Sequence, residues 1–189
     1  AARELLALGP LNESALAQAH AMAACSMALS GRREDAEAGF LQAEFYADQV
    51  RNEFERVDAL RMLCLCRLVA GDARKAEAAA KEALIPALRH SCYYPAFGLL
   101  VALTGIELAR GHEERARFYA TEASYCFTTG FLLPYKDVIL YYYYASRVLE
   151  GEAARKAPAI ALRLLEDEKA RIGDPELVAS FLATRDFGE

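Results

Sequence analysis

The sequence lacks the features that mark membrane-spanning and nucleic-acid-binding chains. No uncharged apolar run approaches the roughly 20 residues that a membrane-spanning helix needs. Positive charge is not in excess either: the net charge is −5, whereas a dedicated DNA- or RNA-binding surface is usually basic. We therefore expect neither a nucleic acid nor a membrane among the partners of this protein.

The cysteines lack the pattern of a disulfide-rich secreted protein. There are five, an odd number, they lie in apolar stretches, and a chain of 189 residues can bury a sizeable core without cross-links. These observations predict free thiols and a cytoplasmic location. The first residues include no initiator Met and do not resemble a signal peptide, so we expect a piece cut from a longer polypeptide.

What the sequence does contain is a repeat. Gly31, Gly71, Gly111 and Gly151 follow one another at a constant spacing of 40 residues. Each of these glycines follows an apolar run and precedes a charged stretch. Because glycine readily adopts a positive φ, it ends helices in tight turns. The spacing therefore predicts helical hairpins whose turns lie at the four glycines.

Small residues keep the same register as the glycines. Alanine recurs five and twelve residues after the glycine in the first three units: Ala36, Ala76, Ala116, Ala43, Ala83 and Ala123. These alanines lie on one helical face and allow close helix packing. The fourth unit has Lys156 and Arg163 at these positions, and a shift by one residue restores Ala157 and Leu164. With Pro158 in the same stretch, we expect this helix to start late or to kink.

The pattern predicts an all-α fold of about four antiparallel helix pairs with short terminal helices and no strand. A single pair cannot bury its own apolar stripe, so neighbouring pairs must stack. Asn12 or Ser14 is expected to cap the first long helix, and Asp174 followed by Pro175 to start the last. The predicted helices span 2–8, the cap to 30, 33–50, 53–70, 72–90, 95–110, 113–129, 133–150, 154–172 and 175–183.

One unit carries a known motif. Gly31, Ala36, Phe40 and Ala43 resemble the second half of a tetratricopeptide motif, and the next two units keep it with alanine in place of Phe40. The usual period of that family is about 34 residues. The longer period is similar to the repeats in regulatory arrays of bacterial signal-transduction ATPases, maltose-activator-type regulators and kinases. Segment 174–182 also resembles segments that close such arrays.

The resemblance implies a single domain that forms a right-handed superhelix. Its repeat units are 12–51, 52–91, 92–131 and 132–172, followed by a capping helix at 175–183. In this family the first helices of the pairs form a concave groove that binds a peptide, a helix or a neighbouring domain. The expected function is therefore that of a protein-interaction scaffold in a multidomain signalling or transcription-regulatory protein, with no enzyme activity.

The glycine register assigns residues to the predicted groove. They are Ala21, Cys25, Asp58, Arg61, Leu65, Val101, Gly105, Val138, Tyr141 and Ala145, with Gln18 and Gly98 in the same columns. The groove is expected to be apolar and to lack the basic cluster that clamps a C-terminal carboxylate. An apolar helix or a second copy of the chain fits it better. The alternatives are a homodimerisation module and a small-molecule sensor with a pocket near Gly98, Gly105 and the tyrosines.

An aromatic group lies in the C-terminal half, comprising residues 141–144, all Tyr, with Phe127, Phe131 and Tyr135. Four consecutive helical residues point to every side of the helix, so some are exposed or face the groove. Interior packing is one interpretation. A contact surface for a partner is the other, and on that interpretation Tyr141 and Val101 are binding anchors.

Candidate catalytic and metal-binding residues form no set. Cys64 and Cys66 point about 200° apart on a helix, so they cannot easily share a metal ion. The three histidines fall in different units, and the acidic run 166–168 is typical of a solvated face. No phosphate-binding loop is present. We expect no metal and no cofactor.

Overall fold

The computed structural model describes residues 12–127 and 135–183, and within them all regular structure is α-helical. This confirms the all-α class. The helices are α1 (Glu13–Leu29), α2 (Arg33–Gln49), α3 (Glu53–Val69), α4 (Ala73–Arg89), α5 (Tyr93–Ala109), α6 (Glu113–Phe127), α7 (Tyr135–Val148), α8 (Gly151–Ile172) and α9 (Pro175–Ala183). The predicted helix 2–8 lies outside the described residues, as do Phe131 and the predicted helix end at 129.

The helix starts use the predicted capping residues. Asn12 caps α1, and its side-chain oxygen accepts a hydrogen bond from the Ala15 N–H at 2.8 Å. Asp174 precedes α9, and its Oδ1 accepts a hydrogen bond from the Glu176 N–H at 2.9 Å. These side chains satisfy backbone donors that have no partner inside the helix.

The repeat glycines form the hairpin turns. Gly31 has φ +80°, and its N–H donates to the Ala28 carbonyl at 3.0 Å while the Arg32 N–H donates to the Met27 carbonyl at 2.9 Å. This is the Schellman pattern of helix ends. The same pair of bonds follows α3 at Gly71 and α5 at Gly111. The 40-residue stride of the sequence is therefore the stride of the helical hairpins.

The helices stack as a hairpin repeat. Within each pair the two helices pack together, and the second helix of a pair packs against the first helix of the next. The first helices, α1, α3, α5 and α7, also contact one another in succession. We call the surface that these four helices form the inner face. The backbones of the second helices lie further apart in the described part of the chain, and the Lys75 side chain of α4 reaches Glu37 of α2 in an ion pair of 2.6 Å.

The alanine columns lie in the interfaces between helices, as predicted. Ala36, Ala43, Ala76, Ala83, Ala116 and Ala123 are each at most 2% exposed. The first hairpin is packed especially closely, since a Cβ added at Gly39 of α2 would lie 3.0 Å from the Cβ of Ala24 in α1. Small side chains thus set the distance between the helices.

Two helix starts differ from the prediction by two residues or more, and the predicted start at 133 lies outside the described residues. Helix α5 begins at Tyr93, two residues early, because Pro95 then lies in the first turn, where no backbone N–H is needed. The predicted late start of the fourth second helix is wrong: α8 begins at Gly151 and continues through Pro158. Pro158 removes one backbone hydrogen bond from the interior of this helix. The one-residue shift is confirmed, since Ala157 is 1% exposed.

Two further observations concern the thiols and the membrane. All five cysteines are free, and Cys64, Cys66, Cys92 and Cys126 are buried. Among the helices of 12–127 and 135–183, none combines the length and the apolar content that crossing a bilayer requires.

Candidate functional site

The inner face contains a buried cation held between two carboxylates. The Arg61 side chain in α3 is 7% exposed, and its Nε donates to Asp58 Oδ1 at 2.8 Å. Its Nη1 donates to Oδ2 of Asp137 at 3.4 Å, although Asp137 lies in α7, 76 residues further on. Helix α5 lies between α3 and α7 in the stack. The ion pair therefore spans three consecutive hairpins.

Gly98 in α5 makes this contact possible. A Cβ at this position would lie 2.7 Å from Asp137 Oδ2 and 2.9 Å from Arg61 Cδ, closer than side-chain carbons approach such atoms. The two charged side chains therefore meet directly over the α5 backbone, at the position where Gly98 has no side chain. One turn earlier in α5, the Tyr94 ring centroid lies 5.1 Å from the Arg61 guanidinium carbon, within cation–π range.

The polar contacts extend to the first helix of the chain. The side-chain amide of Gln18 in α1 donates to Asp58 Oδ2 at 3.4 Å. We call Gln18, Asp58, Arg61, Tyr94, Gly98 and Asp137 the Arg61 cluster. Gln18, Asp58 and Gly98 hold one repeat position, thirteen residues before the hairpin glycine. The cluster thus contains a residue from each of the four inner helices.

The electrostatics of the cluster keep Arg61 charged. Burial opposes the charge, but the carboxylates of Asp58 and Asp137 outweigh it, so the pKa of Arg61 is raised above its ordinary value. Both carboxylates are engaged by one guanidinium, which leaves them poorly suited to binding a metal. No group of three metal-ligating side chains occurs in the described ranges. The arrangement can hold helices in register and present Asp58 and Tyr94, which are part-exposed.

The residues predicted for the groove divide into two sets. Five are buried, with exposures of 0 to 7%: Ala21, Arg61, Val101, Tyr141 and Ala145. Five are part-exposed: Cys25, Asp58, Leu65, Gly105 and Val138. The structure brings Asp58 into contact with Arg61, and Val101 and Tyr141 into one apolar cluster. That these residues bind a partner stays a prediction, and only the second set is reachable without rearrangement.

Two tyrosines of α7, Tyr141 and Tyr144, pack against α5. The Tyr141 ring centroid lies 5.6 Å from that of Phe97, and burial raises the pKa of Tyr141 to about 12. A Cβ at Gly105 would lie 2.7 Å from the Tyr144 ring. Tyr141 is therefore an interior residue, and Tyr144 fills the space that Gly105 leaves. The side chains of Phe127 and Tyr135 lie outside the described residues.

Sequence reasoning missed Asp137. It is the third residue of α7, where an acidic side chain is ordinary because it favours the positive end of the helix dipole. Nothing local distinguishes such a residue from one whose partner lies two hairpins away. The available signal was Gly98, a glycine in the middle of an otherwise apolar helix, which indicates close approach by another group.

Three further buried charges were also missed: Glu168, which is 3% exposed although the run 166–168 was expected to face solvent, and two residues that hold equivalent repeat positions. Arg67 is 1% exposed, pairs with Glu44 of α2 at 2.6 Å, and lies 4.5 Å from the Phe40 ring centroid. Glu107 is fully buried and lies 2.8 Å from His112 Nδ1. Both residues hold the position four before the hairpin glycine. Arg67 joins the first hairpin to the second, whereas the Glu107–His112 contact lies within the third.

Comparison with protein-family models, with curated proteins and with solved structures returns no match. The class of the protein therefore rests on its stacked helix pairs and on the spacing of its glycines: it is a helical-hairpin repeat protein with a 40-residue period. Membership of the tetratricopeptide type, and a relation to the longer-period regulators, stay predictions.

Proposed function

We propose that this chain is a protein-interaction scaffold, without enzyme activity, that binds a protein or peptide on its inner face. The observation that carries the proposal is an apolar surface on α1 and α3, beside the Arg61 cluster. We call it the apolar patch. It comprises Met22, Cys25, Leu29, Phe54, Met62 and Leu65, all at least part-exposed.

The helical register joins these residues into one surface. In α1, Met22, Cys25 and Leu29 follow Gln18 at steps of three and four residues, so they share its side of the helix. In α3 the residues at such steps from Asp58 share its side of the helix. They are Phe54, Met62 and Leu65. Because Gln18 contacts Asp58, the two stripes adjoin.

The exposure of the patch supports a binding role. Met22 is 38% exposed, Phe54 47% and Leu29 56%. Scattered apolar residues on a surface are ordinary, but contiguous ones mark contact sites. The Arg61 cluster would hold α1 and α3 in fixed relation, which lowers the entropy lost on binding. The apolar residues of α1 and α3 form two parallel stripes. An amphipathic helix with apolar anchors one turn apart would fit between them.

A peptide selection tests this proposal. Peptides enriched from a display library on the whole chain are measured by fluorescence anisotropy against wild type and Leu65→Glu. We expect the substitution to weaken binding at least about 30-fold, as loss of a buried anchor does. The matched control is Leu162→Glu in α8, where Leu162 is 62% exposed and lies outside the patch.

Circular dichroism would establish that both variants keep their helix content. Equal loss of affinity in the two variants would contradict a role for the patch. If no peptide is enriched, the proposal that this chain binds peptides on its inner face is wrong.

Homodimerisation is a second candidate, favoured by a row of apolar residues on the second helices. Phe45 in α2, Ile85 in α4 and Tyr125 in α6 each lie fourteen residues after the hairpin glycine. Their exposures are 56%, 64% and 60%. Recurrence at one repeat position distinguishes this row from isolated exposed residues, and two copies could cover each other's row.

Light scattering at the highest soluble concentration tests self-association through this row. We expect a wild-type dimer, because a paired row would be removed from water. The Phe45→Glu/Ile85→Glu double variant is expected to be monomeric, whereas Leu162→Glu stays dimeric. A wild-type monomer, or a dimer in the double variant, would exclude this second candidate.

A further inference from the structure

Two acidic residues of α3 lie beside the apolar patch. Glu55, Asp58 and Met62 follow one another at steps of three and four residues, so they share one side of the helix. Both acidic residues are part-exposed. The Glu55 carboxylate makes no hydrogen bond and no ion pair with another residue of 12–127 or 135–183. One edge of the patch therefore carries a negative charge that no described neighbour balances.

The charge of Asp58 is balanced only in part. Its Oδ1 accepts a hydrogen bond from Arg61 at 2.8 Å, but the same guanidinium also pairs with Asp137 at 3.4 Å. Its Oδ2 lies 3.4 Å from the neutral side-chain amide of Gln18, which is longer than an ordinary hydrogen bond. The Asp58 side chain is 21% exposed, so a cation from outside the chain can approach it.

Positive charge is scarce on this part of the inner face. Helices α1 and α5 contain no Lys or Arg. In α3, Arg56 pairs with Glu82 of the second helix α4 at 3.0 Å. Arg67 pairs with Glu44 of the second helix α2 at 2.6 Å. The third arginine, Arg61, is 7% exposed and already held by two carboxylates. The first three inner helices thus combine an apolar surface with negative charge.

We propose that the partner of the apolar patch is a basic amphipathic helix, whose Lys or Arg side chains pair with Glu55 and Asp58 while its apolar side covers the patch. This partner chemistry rests on the proposed function, since it concerns the same surface. Opposite charges at the edge of an apolar contact speed association and fix the orientation of the partner. Basic and apolar residues one turn apart share a face of the partner helix, so they reach both features together. An acidic helix would be repelled by Glu55 and would find Arg61 already occupied.

The composition of the peptides selected on the whole chain tests this proposal. We expect enriched sequences to combine apolar residues at helical spacing with Lys or Arg one turn away, and to carry more basic residues than the unselected library. Enriched peptides without this excess, or with an excess of acidic residues, would overturn the basic-helix proposal and leave the scaffold function intact. If no peptide is enriched, both proposals are wrong.

A double variant tests the two charge contacts. Glu55→Gln/Asp58→Asn removes both charges and keeps the size of both side chains. Because an exposed ion pair changes an equilibrium by at most about fivefold, we expect the tightest basic peptide to lose about tenfold in affinity. Fluorescence anisotropy in about 0.05 M salt measures the loss. In about 1 M salt, where charges are screened beyond about 3 Å, wild type and variant should differ by less than about twofold.

The matched control is Glu113→Gln/Glu114→Gln at the start of α6. It makes the same change in net charge on two exposed residues of a second helix. We expect it to bind the basic peptide as wild type does. An equal loss in both double variants would overturn the basic-helix proposal, because the effect would then come from the net charge of the chain. Circular dichroism establishes that the variants are folded. The peptide composition is measured on wild type, so it decides the question even if a variant does not fold.

Discussion

Arg61→Ala is expected to lower the free energy of unfolding by about 3–5 kcal/mol, the range found when one partner of a buried ion pair is removed. Asp137, whose side chain is 3% exposed, would lose its guanidinium partner in a place where water cannot replace it. Asp58 would lose a 2.8 Å hydrogen bond, and Tyr94 its cation–π contact. Chemical denaturation followed by circular dichroism measures the change.

The matched control is another arginine of the same helix. Arg56 pairs with Glu82 at 3.0 Å, but its side chain is 28% exposed and that of Glu82 is 54% exposed. An exposed pair contributes about 0–1 kcal/mol, so Arg56→Ala should cost no more than that. If the two alanine variants lost equal stability, the Arg61 cluster would have no special role in joining the hairpins.

Gly98→Val is expected to lower the free energy of unfolding by about 3 kcal/mol, the upper end of the usual cost of overpacking. The Cβ alone would lie 2.7 Å from Asp137 Oδ2 and 2.9 Å from Arg61 Cδ, and the two valine methyls crowd the site further. Either the ion pair separates or α5 moves away from its neighbours. The gain in helix propensity over glycine is below about 1 kcal/mol and cannot offset this.

A double-mutant cycle identifies the cause of the Gly98→Val effect. In an Arg61→Ala background, one of the two obstructing side chains is gone, so the valine should cost at least about 1 kcal/mol less than in wild type. Additive losses in the double variant would show that the glycine is needed for another reason. Both single variants are measured by the same denaturation experiment.

The hairpins were predictable because their signals are local. A glycine at Gly31 or Gly71 ends a helix through its own φ, and the bonds around it involve residues within one turn. Asn12 and Asp174 likewise act on the next two or three residues. The apolar period and the alanine columns repeat with the glycines, so counting along the chain placed most helix boundaries within two residues.

The site was less predictable, because the register gives the face of a helix but not the length or direction of the side chains upon it. Asp58 and Arg61 were assigned to the inner face from the register alone. Burial then separated Arg61 and Tyr141 from the part-exposed Leu65 and Cys25. That separation depends on which side chains of the neighbouring helices cover each residue, and spacing carries no such information.

The sequence by itself determined the all-α fold class, the 40-residue repeat length and the positions of the hairpin turns. Each of these follows from interactions within a few residues or from a regular spacing along the chain. Only the tertiary structure decided that Arg61 meets Asp137 and that Gly98 leaves the room for this contact. Such contacts join residues tens of positions apart. They exist because stacked helices bring particular side chains within a few ångströms of each other. The spacing of residues along the sequence does not specify those distances.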